Sequence, residues 1–555
     1  MSLAQNSRNR RYLVTANSLN IVFSLDSNTV ILPIINCSIG GILAEQNSAH
    51  DNLKADWICS DVKIVGEKFE LPIGRLMCRG VKAGKVRFSL VDGKLPLDGE
   101  LSAFLQNPLG TRPHDVELNP LRYDLSVFAR PSKSVDLFSK CYAFSTMKTQ
   151  WQQSPQYLYN TIRLPSKGVR VHLKLKRKNG RKDFIVFGTN DYLNLAAHPA
   201  VGEAAKRAID KYGYGSTGSP LTTGLTELHE KLADRMARLF QKESAMLFTS
   251  GYTANVGTIA SLTSTNDLMV ADFLAHASIH DAMQMSPATS KVYKHNNVSD
   301  LNKVLSQTRN NFAGCLILTE GVFSMDGNIA PLDKISAVAR KHRARLFVDE
   351  AHSFGILGHH HLGAAEYFDV IDRVDLIMGT FSKIGGGVGG FLVGEKEVID
   401  WLQFYARSSM FSVAAPPSAA AAALAALDIV EEEDDRHLRL QNNIRHFVHG
   451  LREMGYDISP NHSSAIIPVI VGDSNTLGVM NRVLIDHGIF VTPIVYPAVA
   501  RNSARFRFAL MADHSPTDID YALVVLQEAA AVANAKFLNS QALWNKQEEV
   551  PQCAE

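Results

Sequence analysis

The sequence has few cysteines, and they lack the spacing of a metal site or a disulfide framework. The six lie at positions 37, 59, 78, 141, 315 and 553. Scattered cysteines are typical of a reducing compartment, so we expect a cytoplasmic protein with no structural metal. The arginines near the N-terminus are not followed by an apolar core, and we therefore expect no signal peptide.

The chain also lacks a dominant charge and a long apolar run. Its 57 Lys and Arg against 55 Asp and Glu leave a formal net charge of +2, which favours neither nucleic acid nor an anionic membrane. The uncharged stretch 413–427 is mostly alanine and contains Pro416-Pro417. A spanning helix needs about 20 strongly apolar residues, so we expect a buried helix that starts at the prolines and no transmembrane segment.

Composition and periodicity predict five regions. Residues 1–110 carry short apolar runs punctuated by Gly, Asn, Asp and Pro, which predicts a small β-barrel or sandwich. Residues 111–160 are expected to form a linker that becomes helical. Residues 161–415 alternate short apolar runs with amphipathic segments, which indicates a mainly parallel sheet covered by helices. We expect a smaller α+β domain over 416–537 and a flexible tail over 538–555.

The strand predictions follow from the apolar runs. In the first region they cover 19–25, 30–35, 41–44, 62–64 and 85–91, and in the large domain 245–248, 268–271, 315–318, 346–348 and 376–378. The C-terminal region predicts one long helical segment at 416–454 and strands at 464–471, 490–494 and 505–510.

Polar residues follow four of the predicted large-domain strands. Ser250-Gly251 comes after 245–248, Glu320 after 315–318, Asp349 after 346–348, and Lys383 after 376–378. Ligands of an open α/β sheet bind beyond the carboxyl ends of its strands, so these groups are expected at one rim.

Those residue types suit pyridoxal 5'-phosphate. A lysine amine forms a Schiff base with its aldehyde, and an acid pairs with its pyridinium nitrogen. Hydroxyl and N–H groups at a helix start hold a phosphate. Lys383 and Asp349 would supply the first two groups and residues 250–253 the third. Taken singly, Asp349 is more often a helix cap and Lys383 a surface lysine; their joint position at strand ends favours the cofactor site.

Eight stretches make the chemistry more specific. In order they are NDYLNLAAHP (190–199), GYGSTGSPLTTG (213–224), FTSGYTANVGT (248–258), HASIHD (276–281), TEGVFSMDGNIAPL (319–332), VDEAHSFGILG (348–358), MGTFSKIGGGVGGF (378–391) and ARFRFAL (504–510). They resemble the α-oxoamine synthase family of fold-type I pyridoxal-phosphate enzymes. The resemblance implies a homodimeric acyltransferase that condenses an amino acid with an acyl thioester, carried by CoA or acyl carrier protein, and releases CO₂.

The resemblance also implies a role for each matching position. Lys383 would carry the cofactor and remove the α-proton, Asp349 would bind the pyridinium nitrogen, His352 the phenolic oxygen, and His276 would stack on the ring. The phosphate site would comprise Ser250, Gly251, Tyr252, Thr253 and Thr380. Glu320 and Ser324 would line the pocket, Asn190 and Arg507 would hold the substrate carboxylate, and Ser219 would lie near the amino-acid side chain.

One position departs from the family pattern. Members commonly have Ser-Thr or Thr-Thr before the alanine-proline stretch, and this threonine reaches the partner subunit's phosphate. Here the pair is Ser412-Val413, which leaves Ser412 as the candidate for that contact.

The wording of two motifs bears on the substrate. DEAHSFG and MGTFSK are most similar to serine palmitoyltransferase, which favours L-serine. An 8-amino-7-oxononanoate synthase using alanine and a 2-amino-3-ketobutyrate ligase-like enzyme using glycine stay open. A catalytically inactive signalling adaptor is the alternative of another class, although Lys383, Asp349, His276 and Arg507 are all retained.

The N-terminal region resembles a PilZ domain, a β-barrel that binds cyclic diguanylate. Asn36, Ser38 and Gly41 match the second part of its signature. The cluster Arg8, Arg10 and Arg11 lacks the four-residue arginine spacing of the first part. The resemblance implies regulation by cyclic diguanylate, and the alternative is a degenerate barrel that serves as a docking module.

Two other motifs suggest different functions. Gly385, Gly387 and Gly390 fit a dinucleotide-binding pattern, which would require them to follow the first strand of a βαβ unit. His359-His360-His361 could suggest a metal, but adjacent histidines do not share one face of an element, so a loop is expected there.

Overall fold

The chain divides into two compact units, Met1–Tyr157 and Leu158–Glu555. The structure, a computed structural model, describes residues 138–152, 159–175, 183–459, 462–496, 498–500 and 502–535, together with the backbone of seven strands between residues 12 and 90. In these residues no helix is long and apolar enough to cross a bilayer.

Antiparallel pairing dominates the first unit. Its strands are β1 (Tyr12–Leu13), β2 (Leu19–Leu25), β3 (Asn28–Ser38), β4 (Gly41–Glu45), β5 (Ile58–Gly66), β6 (Phe69–Lys82) and β7 (Lys85–Leu90). The pairings run β3-β2-β5-β6-β7-β4 and return to β3, so these six strands form a closed ring, while β1 adds to β3. The helix α1 (Ser139–Trp151) belongs to the same unit.

The PilZ-like residues fall on two paired strands or outside the described residues. Asn36 and Ser38 lie on β3, Gly41 begins β4, and Ser38 pairs with Gly41. Arg8, Arg10 and Arg11 lie outside the described part of the chain. The cyclic diguanylate site therefore stays a prediction.

A central sheet organises the second unit. Its strands are β11 (Ser244–Phe248), β12 (Asp267–Asp272), β13 (Thr289–Tyr293), β14 (Gly314–Glu320), β15 (Arg345–Asp349), β16 (Leu376–Thr380) and β17 (Gly390–Gly394), in the order β11-β17-β16-β15-β14-β12-β13. The pairs from β13 to β16 are parallel, and β17 runs antiparallel to both of its neighbours. The predicted mainly parallel sheet is confirmed.

Apolar sequence accounts for five of the seven strands of the central sheet. The five predicted runs each lie within a strand, because strands buried on both faces have near-continuous apolar sequence. Two strands carry no such run: β13 is at the sheet edge and largely exposed, and β17 begins and ends in glycine.

The topology excludes the dinucleotide-binding interpretation. Thr380 on β16 pairs with Gly390 on β17, so the glycines at 385–390 connect two antiparallel strands. A dinucleotide motif needs a parallel βαβ crossover instead. His359, His360 and His361 lie in a stretch of bends, as expected for a loop.

Helices cover the sheet. In the second unit they are α2 (Pro199–Tyr212), α3 (Glu227–Leu239), α4 (Gly251–Leu262), α5 (Ala277–Met285), α6 (Val298–Thr308), α7 (Leu332–Lys341), α8 (Ala364–Tyr367), α9 (Lys396–Tyr405), α10 (Arg407–Met410), α11 (Pro417–Glu432), α12 (Asp434–Glu453), α13 (Ser474–Asp486) and α14 (Pro516–Val532). The alanine-rich stretch forms α11, with Pro417 in its first turn as predicted.

The long helix expected over 416–454 is wrong. It is two helices, α11 and α12, separated at Glu433, whose φ of −113° and ψ of 71° are not helical. The run of five acids Glu431–Asp435 spans this break. Asp434 and Asp435 then occupy the first turn of α12, where negative charge complements the helix dipole.

The C-terminal strands enter two different small sheets. One contains β18 (Ile466–Gly472), β21 (Ala504–Ala509) and β20 (Thr492–Ile494). The other contains β8 (Ile162–Arg163), β9 (Arg170–Lys174), β10 (Asp183–Val186) and β19 (Ile489–Phe490). The single strand predicted at 490–494 is therefore wrong, because the chain changes sheet at Val491.

Aromatic packing fixes β21 in the core. The Phe508 ring lies 4.8 Å from that of Phe447 on α12 and 5.6 Å from that of Phe187, measured between centroids. Phe506 and Phe508 are fully buried, and Arg505 and Arg507 alternate with them along the strand. The strand period of two thus sends both arginines to the face opposite the phenylalanines.

Candidate active site

Two carboxylates lie side by side at the carboxyl edge of the central sheet. Glu320 ends β14, Asp349 ends β15, and the two residues are partners in the parallel register. Glu320 is 2% exposed and Asp349 is 3% exposed. Burial, and next the charge of Asp349, raises the pKa of Glu320 well above its ordinary value. The edge of the sheet thus holds two buried carboxyl groups, of which Glu320 favours its protonated form.

Lys383 lies in the turn that follows β16 and faces this charge. Its side chain is partly buried, and burial lowers the pKa of the amine. The charges of Asp349 and Glu320 oppose that effect, and that of Arg507 adds to it. Lys383 is therefore within electrostatic reach of both carboxylates, as the strand-end argument predicted.

An asparagine that the sequence analysis missed holds Asp349. Asn255 on α4 donates from Nδ2 to Asp349 Oδ2 at 2.8 Å and to Ser278 Oγ at 2.8 Å. The backbone N–H of Ala351 donates to Asp349 Oδ1 at 2.9 Å. Asn255 is 1% exposed. A buried amide in a helix of small residues was the available signal, because such a group must find a partner.

The N-terminus of α4 is built to accept an anion. Ser250 caps the helix, its Oγ accepting from the Thr253 N–H at 3.1 Å, and Thr253 Oγ1 accepts from the Ser250 N–H at 3.0 Å. A Cβ on Gly251 would lie 3.3 Å from Cβ of Thr380, so the glycine keeps this space open beside the β16 hydroxyl. Helix N-termini bind phosphate through free N–H groups and the helix dipole.

Two exposed aromatic side chains, His276 and Tyr252, lie near this edge of the sheet. His276 is exposed, and its Nδ1 accepts from the Ser278 N–H at 3.2 Å. His276 is therefore not a core histidine. Tyr252 is 47% exposed, its hydroxyl donates to Asp281, and its ring meets His276 edge-on at 6.5 Å between centroids. Exposed rings beside the sheet edge leave a flat surface for a planar ligand.

His352 occupies a buried position near Lys383. It is 7% exposed, and its Nδ1 lies 2.7 Å from the hydroxyl of Tyr192. Burial, followed by the positive charges of Lys383, Arg507 and His276, lowers the pKa of His352 well below its ordinary value. Burial and the neighbouring charge therefore favour the neutral imidazole of His352.

Arg507 is oriented by two oxygen atoms. Its Nε donates to the carbonyl of Ser324, and its Nη1 donates to Asn190 Oδ1 at 3.1 Å. Arg507 is 6% exposed and is therefore not a surface arginine. These two bonds use one N–H of Nε and one of Nη1, and the remaining N–H groups of the two Nη atoms can receive a carboxylate.

Ser219 and Ser412 lie in neighbouring segments. Ser219 Oγ donates to the carbonyl of Met410 at 2.8 Å, and the backbone N–H of Ser412 donates to the carbonyl of Ser409 at 3.1 Å. Ser412 lines the same small cavity as Thr249. Its contact with a partner subunit's phosphate stays a prediction.

The assembled groups fit pyridoxal 5'-phosphate. The ring nitrogen would face Asp349, the aldehyde Lys383, and the phosphate the capped start of α4 beside Gly251. Glu320 Oε1 is buried without a hydrogen-bond partner in the described residues, an orphaned acceptor at the same edge. Fold and donor set together define a fold-type I pyridoxal-phosphate enzyme.

Similarity to known proteins supports the assignment to that class of enzyme. The family model for aminotransferase class I and II matches residues 182–526. The 8-amino-7-oxononanoate synthase of Thermoanaerobacter pseudethanolicus is 37% identical over 64% of this chain and 89% of its own length. The serine palmitoyltransferase of Bacteriovorax stolpii is 37% identical over 64% of this chain and 84% of its own.

A solved structure extends the similarity. Serine palmitoyltransferase of Sphingomonas wittichii superposes with a TM-score of 0.67 at 32% identity, covering 72% of this chain and 99% of the other. The chain belongs to the aminotransferase class I and II family and, within it, to the α-oxoamine synthases. It is a pyridoxal-phosphate-dependent acyltransferase.

Proposed function

We propose that the enzyme condenses an amino acid with an acyl thioester and releases CO₂, giving an α-oxoamine. The observation that carries the proposal is the position of Lys383 and Asp349 at one sheet edge, with Arg507 within electrostatic reach of the same amine. The reaction of an amino acid at its α-carbon requires three groups. Lys383 would be the base that removes the α-proton, Asp349 the acid that pairs with the cofactor ring, and Arg507 the guanidinium that binds the substrate carboxylate.

Each residue has a separate task in this reaction. When bound, the cofactor supplies an electron sink for negative charge at the α-carbon. Arg507, aligned by Ser324 and Asn190, fixes the substrate carboxylate and so orients the α-C–H bond. Lys383 takes the α-proton on its amine, whose lowered pKa favours the unprotonated form. Asp349, held by Asn255, would pair with the ring nitrogen of the bound cofactor.

L-Serine is the amino acid we propose. The motifs DEAHSFG and MGTFSK support it, while relatives named as serine palmitoyltransferase and as 8-amino-7-oxononanoate synthase are equally identical to the chain, at 37%. The relatives therefore leave alanine and glycine as alternatives. Acyl-CoA is the proposed donor, with acyl carrier protein as the alternative.

The test is a titration of the purified enzyme with L-serine, glycine and L-alanine, followed by absorption spectroscopy. We expect an absorbance band from the lysine-bound cofactor that changes with L-serine, and release of free CoA when a long-chain acyl-CoA is added. CoA release with glycine or alanine only would contradict the serine assignment. Lys383→Ala is the control, which should lose both the native band and CoA release.

The closed ring of strands supports a second proposal, that cyclic diguanylate binds the first unit and regulates the synthase. Asn36, Ser38 and Gly41 lie where β3 passes into β4, as the resemblance to a PilZ domain requires. Calorimetry of the full chain with cyclic diguanylate should show binding that Ser38→Ala weakens. Absence of heat with the wild-type chain would instead favour a docking module.

A further inference from the structure

Tyr192 has a buried hydroxyl between two groups of the active site. The residue is 1% exposed, and its hydroxyl lies 2.7 Å from His352 Nδ1 and 3.3 Å from Asn190 Oδ1. Asn190 Oδ1 already accepts a hydrogen bond from Arg507 Nη1 at 3.1 Å. Tyr192 thus links the histidine proposed for the cofactor with the pair proposed for the substrate carboxylate.

The distances decide where the hydroxyl proton points. A tyrosine hydroxyl carries one proton, and O–H···O hydrogen bonds span about 2.5–3.0 Å. The 3.3 Å contact with Asn190 lies beyond that range, whereas the 2.7 Å contact with His352 is short. The proton therefore goes to His352 Nδ1, which must accept it.

Because His352 is neutral, the hydrogen bond from Tyr192 determines which of its ring nitrogens carries the proton. The groups that face it are Lys383, Arg507 and His276, and together with burial they keep the imidazole neutral. A neutral imidazole carries one N–H, and the hydrogen bond at one nitrogen determines which nitrogen holds the proton. If Nδ1 accepts, the ring proton is on Nε2.

We propose that Tyr192 is a positioning residue that holds His352 in the tautomer protonated on Nε2, and so presents an N–H donor to the phenolic oxygen of the cofactor. The inference rests on the role proposed for His352. Without the hydroxyl, Nδ1 could carry the proton, and Nε2 would then be an acceptor facing an oxygen that is itself an acceptor.

Tyr192→Phe tests the proposal because it removes the hydroxyl and keeps the ring. A donor at Nε2 stabilises the deprotonated phenolic oxygen, so its loss should raise the pH midpoint at which the lysine-bound cofactor changes absorbance. We expect the midpoint to rise by about one pH unit, which corresponds to a loss of about 1.4 kcal/mol in the stabilisation of the deprotonated oxygen. Cofactor affinity, measured by fluorescence, should fall in parallel. An unchanged midpoint would overturn the proposal.

Two variants separate this role from a structural one. Tyr456→Phe removes another buried tyrosine hydroxyl. Burial alone raises the pKa of Tyr456, with no contribution from an active-site charge, so this variant should leave the midpoint unchanged. In a His352→Ala background, Tyr192→Phe should cause no further shift. The same shift in that background would show that Tyr192 acts on the cofactor by another route.

A measurement without cofactor distinguishes this inference from the proposed function. In the ¹⁵N-histidine-labelled, cofactor-free wild-type chain, the nitrogen shifts of His352, assigned with a His352→Gln variant, should show a proton on Nε2. A proton on Nδ1 would overturn the inference even if the enzyme is active. A wild-type chain without a cofactor band would overturn the proposed function and leave the tautomer result standing.

Discussion

At the scale of single residues, Glu350 shows how a buried carboxyl can organise the active-site loop. Its side chain accepts from the backbone N–H groups of Ala364 at 2.9 Å and Ala365 at 2.7 Å, and from the Ser353 hydroxyl. Burial raises the pKa of Glu350 to about 7, although these hydrogen bonds favour the charged form. The residue ties the loop that carries His352 to the start of α8.

Glu350 should make the stability of the chain depend on pH. Its pKa rises from 4.5 to about 7 on folding, so between these values the folded chain holds a proton that the unfolded chain releases. The stabilising contribution is complete below about pH 4.5 and disappears as pH rises through about 7, a difference of about 3 kcal/mol. Chemical denaturation from pH 5 to 8 measures it.

Glu350→Gln should flatten this part of the pH profile. Glutamine can accept from the backbone through one oxygen only, so we also expect a lower stability at every pH. Glu230→Gln, at an exposed position on α3, is the matched control and should keep the wild-type slope. A Glu350→Gln profile as steep as that of wild type would contradict the assignment.

At the scale of elements, the antiparallel pair β16–β17 sets the position of Lys383. Gly379 on β16 lies opposite Phe391 on β17, and a Cβ at Gly379 would lie 2.3 Å from Cζ of the Phe391 ring. The ring therefore covers the glycine, and the two strands approach closely just before the turn that carries the lysine.

Gly379→Ala should disturb this pair. Because the Phe391 ring must move, we expect a loss of about 1–3 kcal/mol in the free energy of unfolding, the usual range for overpacking. Cofactor binding should weaken as well, since Lys383 is four residues away. Gly387→Ala is the control, because its nearest neighbouring atom would be 3.7 Å from the new Cβ. Equal stability of the two variants would contradict the argument.

At the scale of the whole molecule, exposed apolar residues predict self-association. Tyr214 is 84% exposed, Leu225 53% and Phe411 68%. The segments that carry them are joined, because the backbone N–H of Ala414 donates to the carbonyl of Gly218 at 2.9 Å. Exposed apolar side chains on neighbouring segments are typical of an interface, and Ser219 and Ser412 lie in the same segments. We propose that a second copy of the chain covers this surface.

Phe411→Glu should dissociate the homodimer. Burying a carboxylate at an apolar contact is costly, so the variant should elute and scatter light as a monomer while the wild type behaves as a dimer. Leu438→Glu, at another exposed apolar position that is 59% exposed, should remain dimeric. A monomeric wild-type chain, or a dimeric Phe411→Glu variant, would contradict the proposal that a second copy covers this surface.

Local sequence predicts five strands of the large domain and the polar residues that follow them. Apolar runs predict five of the seven strands of the central sheet within two residues of each end, since strands covered on both faces have near-continuous apolar sequence. The polar residues directly after those runs include Glu320 and Asp349, which the register makes neighbours. The chemistry at strand ends could be predicted because parallel strands bring their carboxyl ends to one edge.

Tertiary structure alone decided the contacts between distant residues. Asn255 contacts Asp349 across 94 positions, and Tyr192 contacts His352 across 160. The break at Glu433 and the change of sheet at Val491 likewise depend on neighbours outside the local segment. Apolar periodicity shows which residues are buried. It does not show which buried polar groups meet, because a hydrogen-bond partner can come from any part of the chain.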